Sequence, residues 1–205
     1  MFEWALLDWS GVISIDFPII LRCLNMVLAR LDLLPMTAIE FRQKAELPIS
    51  NFWRKTIPHV SVEQANAMLR EAWVALDMQA KPFPGIQDLL WLFHRRGIKI
   101  IIVSSHYCEE LRRESFRYGV DRFIYGFHGC VKNKVHASKK IVQKYGVDPG
   151  KALVVGDMAH DIEMGLAIKA KMVIGLTCGY DTKAKLLAAG AHCVRGYPTE
   201  LACLI

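Results

Sequence analysis

One stretch near the N-terminus constrains the fold of this chain more than any other. Residues 4–7, with the sequence WALL, are apolar, and Asp8 follows them directly. Such a run is typical of a buried strand, which would leave Asp8 at the carboxyl end, where ligands bind in open α/β sheets. Gly11 then allows a sharp turn beside the carboxylate. Because a lone aspartate at this position can equally cap a helix, its role depends on what the rest of the chain brings to it.

Two later apolar runs end in polar residues in the same way. Residues 98–103 are followed by Ser104, and residues 152–155 are followed by Gly156 and Asp157. From residue 83 onward, apolar runs alternate with helical segments, and this alternation predicts a doubly wound parallel sheet with helices on both faces. Since parallel strands end at one edge of their sheet, we expect these polar residues to meet near Asp8.

The segment that follows the first strand has a different pattern. Thr37 and Glu40, and again Ser61 and Gln64, have the three-residue spacing of capping boxes, which mark helix N-termini. No strand pattern interrupts the segment, so the sequence predicts a small all-helical domain inserted between two core strands. The predicted boundaries are 1–13 and 82–205 for the core and 14–81 for the helical domain.

Composition narrows the range of functions. The chain has 205 residues, of which 53% are hydrophobic, and this content suits a buried parallel sheet. No apolar run approaches the roughly 20 residues of a membrane span, and no signal peptide is evident. Six cysteines without C-x-x-C spacing indicate reduced thiols, and no basic and aromatic residues interleave as in nucleic-acid binders. We therefore expect a cytoplasmic monomer or homodimer without membrane or nucleic-acid partners, and the net charge of +6 favours a small anionic substrate.

Taken in chain order, an aspartate, a hydroxyl, a lysine and an acidic pair occupy strand ends or loops. The set consists of Asp8, Ser104, Lys134, Asp157 and Asp161. It resembles the haloacid dehalogenase (HAD) superfamily, whose core is Rossmann-like. Three further stretches are similar to the phosphoglycolate phosphatase branch, which carries a small helical cap: residues 82–86, 175–180 and 186–192. The resemblance implies a phosphatase that hydrolyses a small phosphorylated metabolite.

The resemblance also implies a role for each residue. Asp8 would attack phosphorus and form an aspartyl-phosphate, a covalent route that divides the reaction into two steps. Ser104 and the backbone N–H groups of Ser105 and His106 would bind the phosphate oxygens. Lys134 would balance the charge, although Lys132 is an alternative because Val135 stands where the family usually has proline.

A divalent cation is the implied cofactor. Asp8, Asp157 and the backbone carbonyl of Ser10 would bind it, and a few oxygen ligands completed by water suit Mg²⁺. Gly156 and Asp161 would support this site, Asp161 lying next to the ion or orienting Lys134. From the cap, three basic residues are candidates for holding a carboxylate or a second phosphate of the substrate: Arg42, Arg54 and Lys55.

Ser10 is the main departure from the family pattern. Phosphatases of this branch read D-x-D, and the second aspartate protonates the leaving group and then activates water. A serine cannot replace a carboxylic acid in this role, and losing general acid–base catalysis typically costs roughly 10²–10⁴ in rate. Slow hydrolysis of the aspartyl-phosphate is therefore expected, unless His106 or His160 activates the water.

Two alternatives follow from this departure. The first is a catalytically weak relative that binds phosphometabolites or a partner protein and serves regulation. The second is a C–P bond hydrolase similar to phosphonoacetaldehyde hydrolase, whose opening motif D-W-A-G-T resembles D-W-S-G-V here. That enzyme needs a cap lysine where this chain has Ile49, so Lys44 or Lys55 would have to replace it.

Overall fold

A six-stranded parallel sheet organises the larger of two compact units. The computed structural model covers residues 1–205 and divides into Met1–Ile15 with Lys81–Ile205, and Asp16–Ala80. The strands are β1 (Trp4–Leu7), β2 (Ser14–Ile15), β3 (Lys81–Pro82), β4 (Lys99–Val103), β5 (Ile124–His128), β6 (Ala152–Gly156), β7 (Met172–Leu176) and β8 (Cys193–Arg195). The helices are α1 (Phe17–Arg30), α2 (Ala38–Lys44), α3 (Ile49–Thr56), α4 (Val62–Leu76), α5 (Ile86–Arg95), α6 (Cys108–Arg117), α7 (Lys134–Tyr145), α8 (Ala159–Ala167) and α9 (Lys183–Ala188).

The strand order places the N-terminal strand at the centre of the sheet. The order is β5-β4-β1-β6-β7-β8, and every pairing in this sheet is parallel. Leu7, the last residue of β1, pairs with Ile102 on one side and Val155 on the other. The chain order reverses on the two sides of β1, and this is the switch point at which open α/β sheets bind ligands.

Both faces of the sheet are buried, which confirms the predicted doubly wound fold. Leu7 and its neighbours Ile102 and Val155 belong to one apolar cluster, whereas Leu6 and Val154 belong to another. Adjacent residues of a strand point to opposite faces, so the two clusters represent the two covered sides of one sheet.

Helices α7 and α8 begin earlier than the sequence indicates. The pattern predicted their first residues as His136 and Asp161, but α7 begins at Lys134 and α8 at Ala159. Asn133 explains the first difference, because its side chain accepts a hydrogen bond of 2.8 Å from the His136 N–H and caps the helix. Lys134 therefore lies in the first turn of a helix rather than in a loop.

The second unit contains α1 to α4. The predicted capping boxes are present, since Thr37 and Ser61 each accept a hydrogen bond from the backbone three residues on, and the returning bond is also made. Buried Cys23, Val27 and Ala72 form part of its apolar interior, where α1 and α4 pack together.

The junctions between the two units differ from the sequence-based prediction. Ser14–Ile15 and Lys81–Pro82 form two short antiparallel strands, and both belong to the larger unit. The prediction assigned residues 14 and 15 to helical structure. Two-residue strands are too short for any alternation of apolar and polar residues to identify them.

The longest helix, α4, has 15 residues. None of the helices combines the length and the apolar character that crossing a bilayer requires.

Candidate active site

The loops after β1 and β6 and the first turns of α7 and α8 bring charged side chains together inside the larger unit. Asp8 follows β1 and is only 6% exposed. Its Oδ1 atom accepts a hydrogen bond of 2.7 Å from the Trp9 N–H, and its Oδ2 atom lies 2.8 Å from Lys134 Nζ. Burial raises the pKa of Asp8, and the cation of Lys134 opposes this shift.

Lys134 connects two carboxylates. Its Nζ atom lies 2.8 Å from Asp8 and 2.6 Å from Asp161 Oδ1, and the residue is 4% exposed. Burial alone lowers the pKa of an ammonium, but the carboxylates of Asp161 and Asp8 outweigh it, so the pKa of Lys134 is raised and the side chain is a cation. Lys132 is exposed. Of the two lysines considered, the geometry therefore places Lys134 at Asp8.

Asp161 lies behind this lysine and is fully buried. Its Oδ2 atom accepts a hydrogen bond of 3.1 Å from the Met158 N–H, so both of its oxygens have partners. A side chain at Gly156 would collide with it, because an added Cβ atom would lie 2.0 Å from the Asp161 Cβ. Asp161 therefore contacts Lys134 directly, which is the arrangement that its predicted role of orienting this lysine requires, and Gly156 leaves the space for its side chain.

The carboxylate of Asp157, unlike that of Asp161, has a hydrogen-bond partner on only one oxygen. Its Oδ2 atom accepts a hydrogen bond of 2.7 Å from the Tyr180 N–H, whereas its buried Oδ1 atom has no hydrogen-bond partner. Gly11 and Gly179 pack against the carboxylate, where added Cβ atoms would lie 2.2 and 2.0 Å from Oδ2. Burial and the nearby carboxylates of Asp8 and Asp161 raise the pKa of Asp157 well above its usual value.

These carboxylates fit a divalent cation. Asp8, Asp157 and Asp161 are all buried, and Lys134 is the one buried lysine beside them, so the cluster has an excess of negative charge. Buried polar atoms normally have partners, and the unpaired Oδ1 of Asp157 is an exception that a cation would resolve. Oxygen donors of this kind suit Mg²⁺.

A second potential metal-binding group also involves Asp8. Ligand atoms of Asp8, His160 and Asp161 lie within 4.8 Å of one another. Burial and the Lys134 cation lower the pKa of His160 to about 4, so its imidazole is neutral near pH 7. Because both oxygens of Asp161 are already engaged and Oδ1 of Asp157 is not, Asp157 is the better partner for Asp8.

The loop after β4 holds the residues expected to bind phosphate. Ser104 is 1% exposed, and its Oγ atom accepts a hydrogen bond of 3.3 Å from the His106 N–H. Ser105 is exposed. The side chain of His106 turns towards the first loop, where its Nε2 atom lies 2.9 Å from Ser10 Oγ.

The side chain of Trp9 anchors the loop that follows β1, while its backbone N–H donates to Asp8. Its Nε1 atom donates a hydrogen bond of 2.6 Å to Glu114 Oε2, and its ring stacks on Tyr118 with a centroid distance of 5.8 Å. Ser14 Oγ lies 2.9 Å from the Tyr118 hydroxyl. The loop that follows Asp8 is thereby tied to α6 and to Tyr118 directly after it.

The three basic residues predicted to contact substrate have partners within the helical unit. The Arg42 guanidinium lies 4.1 Å from the Phe17 ring centroid, and Arg54 Nη1 lies 3.4 Å from Asn51 Oδ1. Lys55 forms an ion pair with Glu46. Their contacts to a substrate remain a prediction.

Sequence reasoning missed Asp181, a buried residue of the site. Its Oδ2 atom accepts a hydrogen bond of 2.8 Å from the Ala159 N–H at the start of α8, and Oδ1 lies 3.1 Å from Lys185 Nζ. Its own N–H donates to the Asp157 carbonyl at 3.1 Å. Asp181 thus connects the loop of Asp157 to α8. Its position shortly after an apolar run was the available signal, the same one that identified Asp8.

The fold is that of a Rossmann-like α/β protein. At the switch point of its sheet lies a cluster of buried carboxylates, two of which pair with a buried lysine. A family model described as haloacid dehalogenase-like hydrolase matches residues 6–174, so the chain belongs to that family. No curated protein matches the sequence.

Solved structures agree with this assignment at the level of the fold. A haloacid dehalogenase-like family hydrolase from Streptococcus pneumoniae aligns with a TM-score of 0.82 and 18% identity, covering 99% of this chain and 98% of the other. A predicted phosphatase from Clostridium acetobutylicum aligns with a TM-score of 0.80 and 15% identity, covering 100% and 98%. A predicted phosphoglycolate phosphatase from Haemophilus somnus aligns with a TM-score of 0.77 and 15% identity, also covering 100% and 98%.

Proposed function

We propose that the protein is a Mg²⁺-dependent phosphatase that hydrolyses a small phosphorylated metabolite through an aspartyl-phosphate on Asp8. The observation that carries the proposal is the chain of contacts from Asp8 through Lys134 to Asp161, with the unpaired oxygen of Asp157 in the same buried cluster. A purely structural ion pair would not require this additional buried carboxylate, which raises the cost of burial.

The position of Asp8 suits nucleophilic attack. The Trp9 N–H holds Oδ1, and Lys134 holds Oδ2, so the carboxylate is fixed before a substrate arrives. A phosphate dianion and a carboxylate repel each other, and Lys134 reduces this repulsion at the place where charge accumulates during transfer. Ser104 and the N–H of Ser105 would hold phosphate oxygens from the neighbouring strand end.

The chain also has residues suited to holding the cation. Asp8, Asp157 and the backbone carbonyl of Ser10 would bind Mg²⁺. When bound, the ion shields the charge between the nucleophile and the phosphate. Asp161, for which Gly156 leaves space, would hold Lys134 beside Asp8.

A substrate panel tests this proposal. The purified protein is incubated with Mg²⁺ and a set of esters that includes 2-phosphoglycolate, small sugar phosphates and an aryl phosphate, and phosphate release is measured. Release from at least one ester that is absent with Asp8→Asn supports the proposal, and acid quenching during turnover should trap phosphate on Asp8. Binding of phosphate esters without any release would instead favour the catalytically weak relative. Phosphonoacetaldehyde is included because its cleavage would favour the C–P hydrolase.

A further inference from the structure

The contact between Ser10 and His106 joins two loops that are 96 residues apart in the chain. Ser10 occupies the position two residues after Asp8, and its Oγ atom lies 2.9 Å from His106 Nε2. Both side chains are partly exposed, so a substrate or a water molecule can reach them. A serine hydroxyl alone is a poor general base, whereas a neutral imidazole has a ring nitrogen that can accept a hydrogen bond from that hydroxyl and take its proton.

The backbone holds His106 at this position. Its N–H donates to Ser104 Oγ at 3.3 Å, and its carbonyl accepts from the Cys130 N–H at 2.7 Å. Gly129 packs closely against this turn, since an added Cβ atom would lie 2.5 Å from the His106 carbonyl oxygen. These contacts fix the backbone from which the imidazole extends, and the contact with Ser10 orients the imidazole itself.

His160, the other imidazole of the site, is oriented differently. Its Nε2 atom lies 3.6 Å from Asp161, beside the lysine that neutralises the cluster. His106, in contrast, is bonded to the hydroxyl on the loop of the nucleophile. The geometry therefore distinguishes between two histidines that the sequence left equivalent.

We propose that His106, acting with Ser10, is a catalytic residue that replaces the missing aspartate of the D-x-D motif. This inference rests on the proposed phosphatase function. In the second half-reaction, the oxygen of water forms a bond to phosphorus, and the bond between phosphorus and the Asp8 oxygen breaks. The proton of that water passes to Ser10 Oγ while the Ser10 proton passes to His106 Nε2. In the next cycle the pair returns one proton to the oxygen of the leaving group as Asp8 attacks, so that protons balance over a full turnover.

The inference predicts a specific change in kinetics for His106→Gln. With an aryl phosphate, whose leaving group needs little protonation, formation of the aspartyl-phosphate should continue at the wild-type rate. Its hydrolysis should slow by roughly 10²–10⁴, the usual contribution of general acid–base catalysis. The variant should therefore show a burst equal to the enzyme concentration, followed by slow turnover, whereas the wild type shows no burst. His94→Gln, which changes an exposed histidine of α5, is the matched control and should behave as the wild type.

A double variant separates a catalytic role from a structural one. Ser10→Asp replaces the relay hydroxyl with the carboxylate of the D-x-D motif, and its turnover is the reference for the double variant. In the His106→Gln background the same change should restore turnover by most of the factor that was lost. A residue that only supports the loop would not be rescued by a carboxylate at position 10. His106→Asn is measured alongside, so that a folding defect of one variant does not decide the result.

The outcomes distinguish this inference from the proposed function. A wild type that releases phosphate and keeps its full turnover with His106→Gln would overturn the role of His106 and leave the phosphatase proposal intact. Loss of turnover that Ser10→Asp fails to restore would also overturn it. A wild type that neither releases phosphate from any ester nor forms an aspartyl-phosphate would overturn both.

Discussion

The two units of this chain differ in how many charged residues they bury. The α/β unit buries Asp8, Lys134, Asp157, Asp161 and Asp181, whereas the helical unit buries one charged residue, Asp16. Ion pairs of the helical unit, such as Arg30 with Glu71, lie in solvent. Burying charge is costly, so its concentration at one edge of the sheet indicates that function, rather than stability, maintains it.

The contacts also differ in their separation along the sequence. Polar contacts at the helix starts of the second unit are local, as in the Thr37 and Ser61 capping boxes. At the active site, Ser10 reaches His106 and Trp9 reaches Glu114, across 96 and 105 residues. Local contacts determine where helices begin. Contacts between residues far apart in the sequence form only once the sheet has folded. The predictions below test this contrast, starting with the largest expected effect.

Substitution of Asp8, the proposed nucleophile, tests the functional role of the buried charges. Asp8→Asn should lower turnover by about 10⁴-fold or more, as loss of a nucleophile does in other hydrolases. The change is nearly isosteric and removes one charge from an overly acidic cluster, so the melting temperature should not fall. Asp88→Asn, at an exposed position of α5, should change neither quantity. An active Asp8→Asn protein would show that another residue is the nucleophile.

The buried lysine should matter far more to stability than an exposed arginine. Lys134→Met leaves three buried carboxylates without their cation, and breaking a buried pair in this way costs about 3–5 kcal/mol. Arg30→Met removes one partner of an ion pair whose side chains are 45% and 64% exposed, and should cost about 0–1 kcal/mol. Urea unfolding of both variants measures the difference. Equal losses would mean that the site is not held together by charge.

Removal and addition of metal test whether the excess negative charge of the carboxylate cluster serves to bind a cation. EDTA should abolish turnover and Mg²⁺ should restore it. Because Mg²⁺ binds the folded state, it should also stabilise the protein, by about 2.7 kcal/mol at 100 times its dissociation constant. Asp157→Asn should abolish this stabilisation, while Asp148→Asn, an exposed change in the same unit, should keep it. Full activity in EDTA would contradict the proposed cofactor.

The smallest effects should come from the helix caps, one in each unit. Asn133→Ala and Thr37→Ala each remove an N-cap and should each cost about 1 kcal/mol. Asn133 immediately precedes Lys134, so its loss should also lower turnover of an aryl phosphate by a few fold. Thr37→Ala should leave that turnover unchanged. Thermal unfolding and initial rates are measured on the same samples of both variants. Equal effects of the two variants on the rate would show that the two units do not differ in their importance for turnover.

The sequence predicted the sheet and the strand-end residues because both signals are local. An apolar run that ends in a polar residue identified Asp8, Ser104 and Asp157 without any knowledge of the neighbouring strands. It could not decide between Lys132 and Lys134, because that choice depends on where α7 begins, and the Asn133 cap sets this start.

Other features of the site were beyond sequence reasoning for a different reason. The sequence offered both His106 and His160 as candidates for activating water, and it is the pairing of β1 with β4 that brings His106 next to Ser10. The two-residue strands at Ser14 and Lys81 have no recognisable period, so the predicted boundary differed from the observed one by two residues at one end and one residue at the other.

The position of Trp9 offers a fluorescence test of the proposed reaction. Its indole is fully buried and stacks on Tyr118, and the backbone N–H of the same residue donates to Asp8 Oδ1. Phosphorylation of Asp8 would replace the single negative charge of its carboxylate with a doubly charged phosphoryl group next to this chromophore, and indole emission responds to the local electric field. Stopped-flow recording of intrinsic fluorescence should therefore follow the nucleophile through its phosphorylated state in real time, without any label. The other four tryptophans would contribute a constant background, against which a Trp9→Phe protein provides the reference trace.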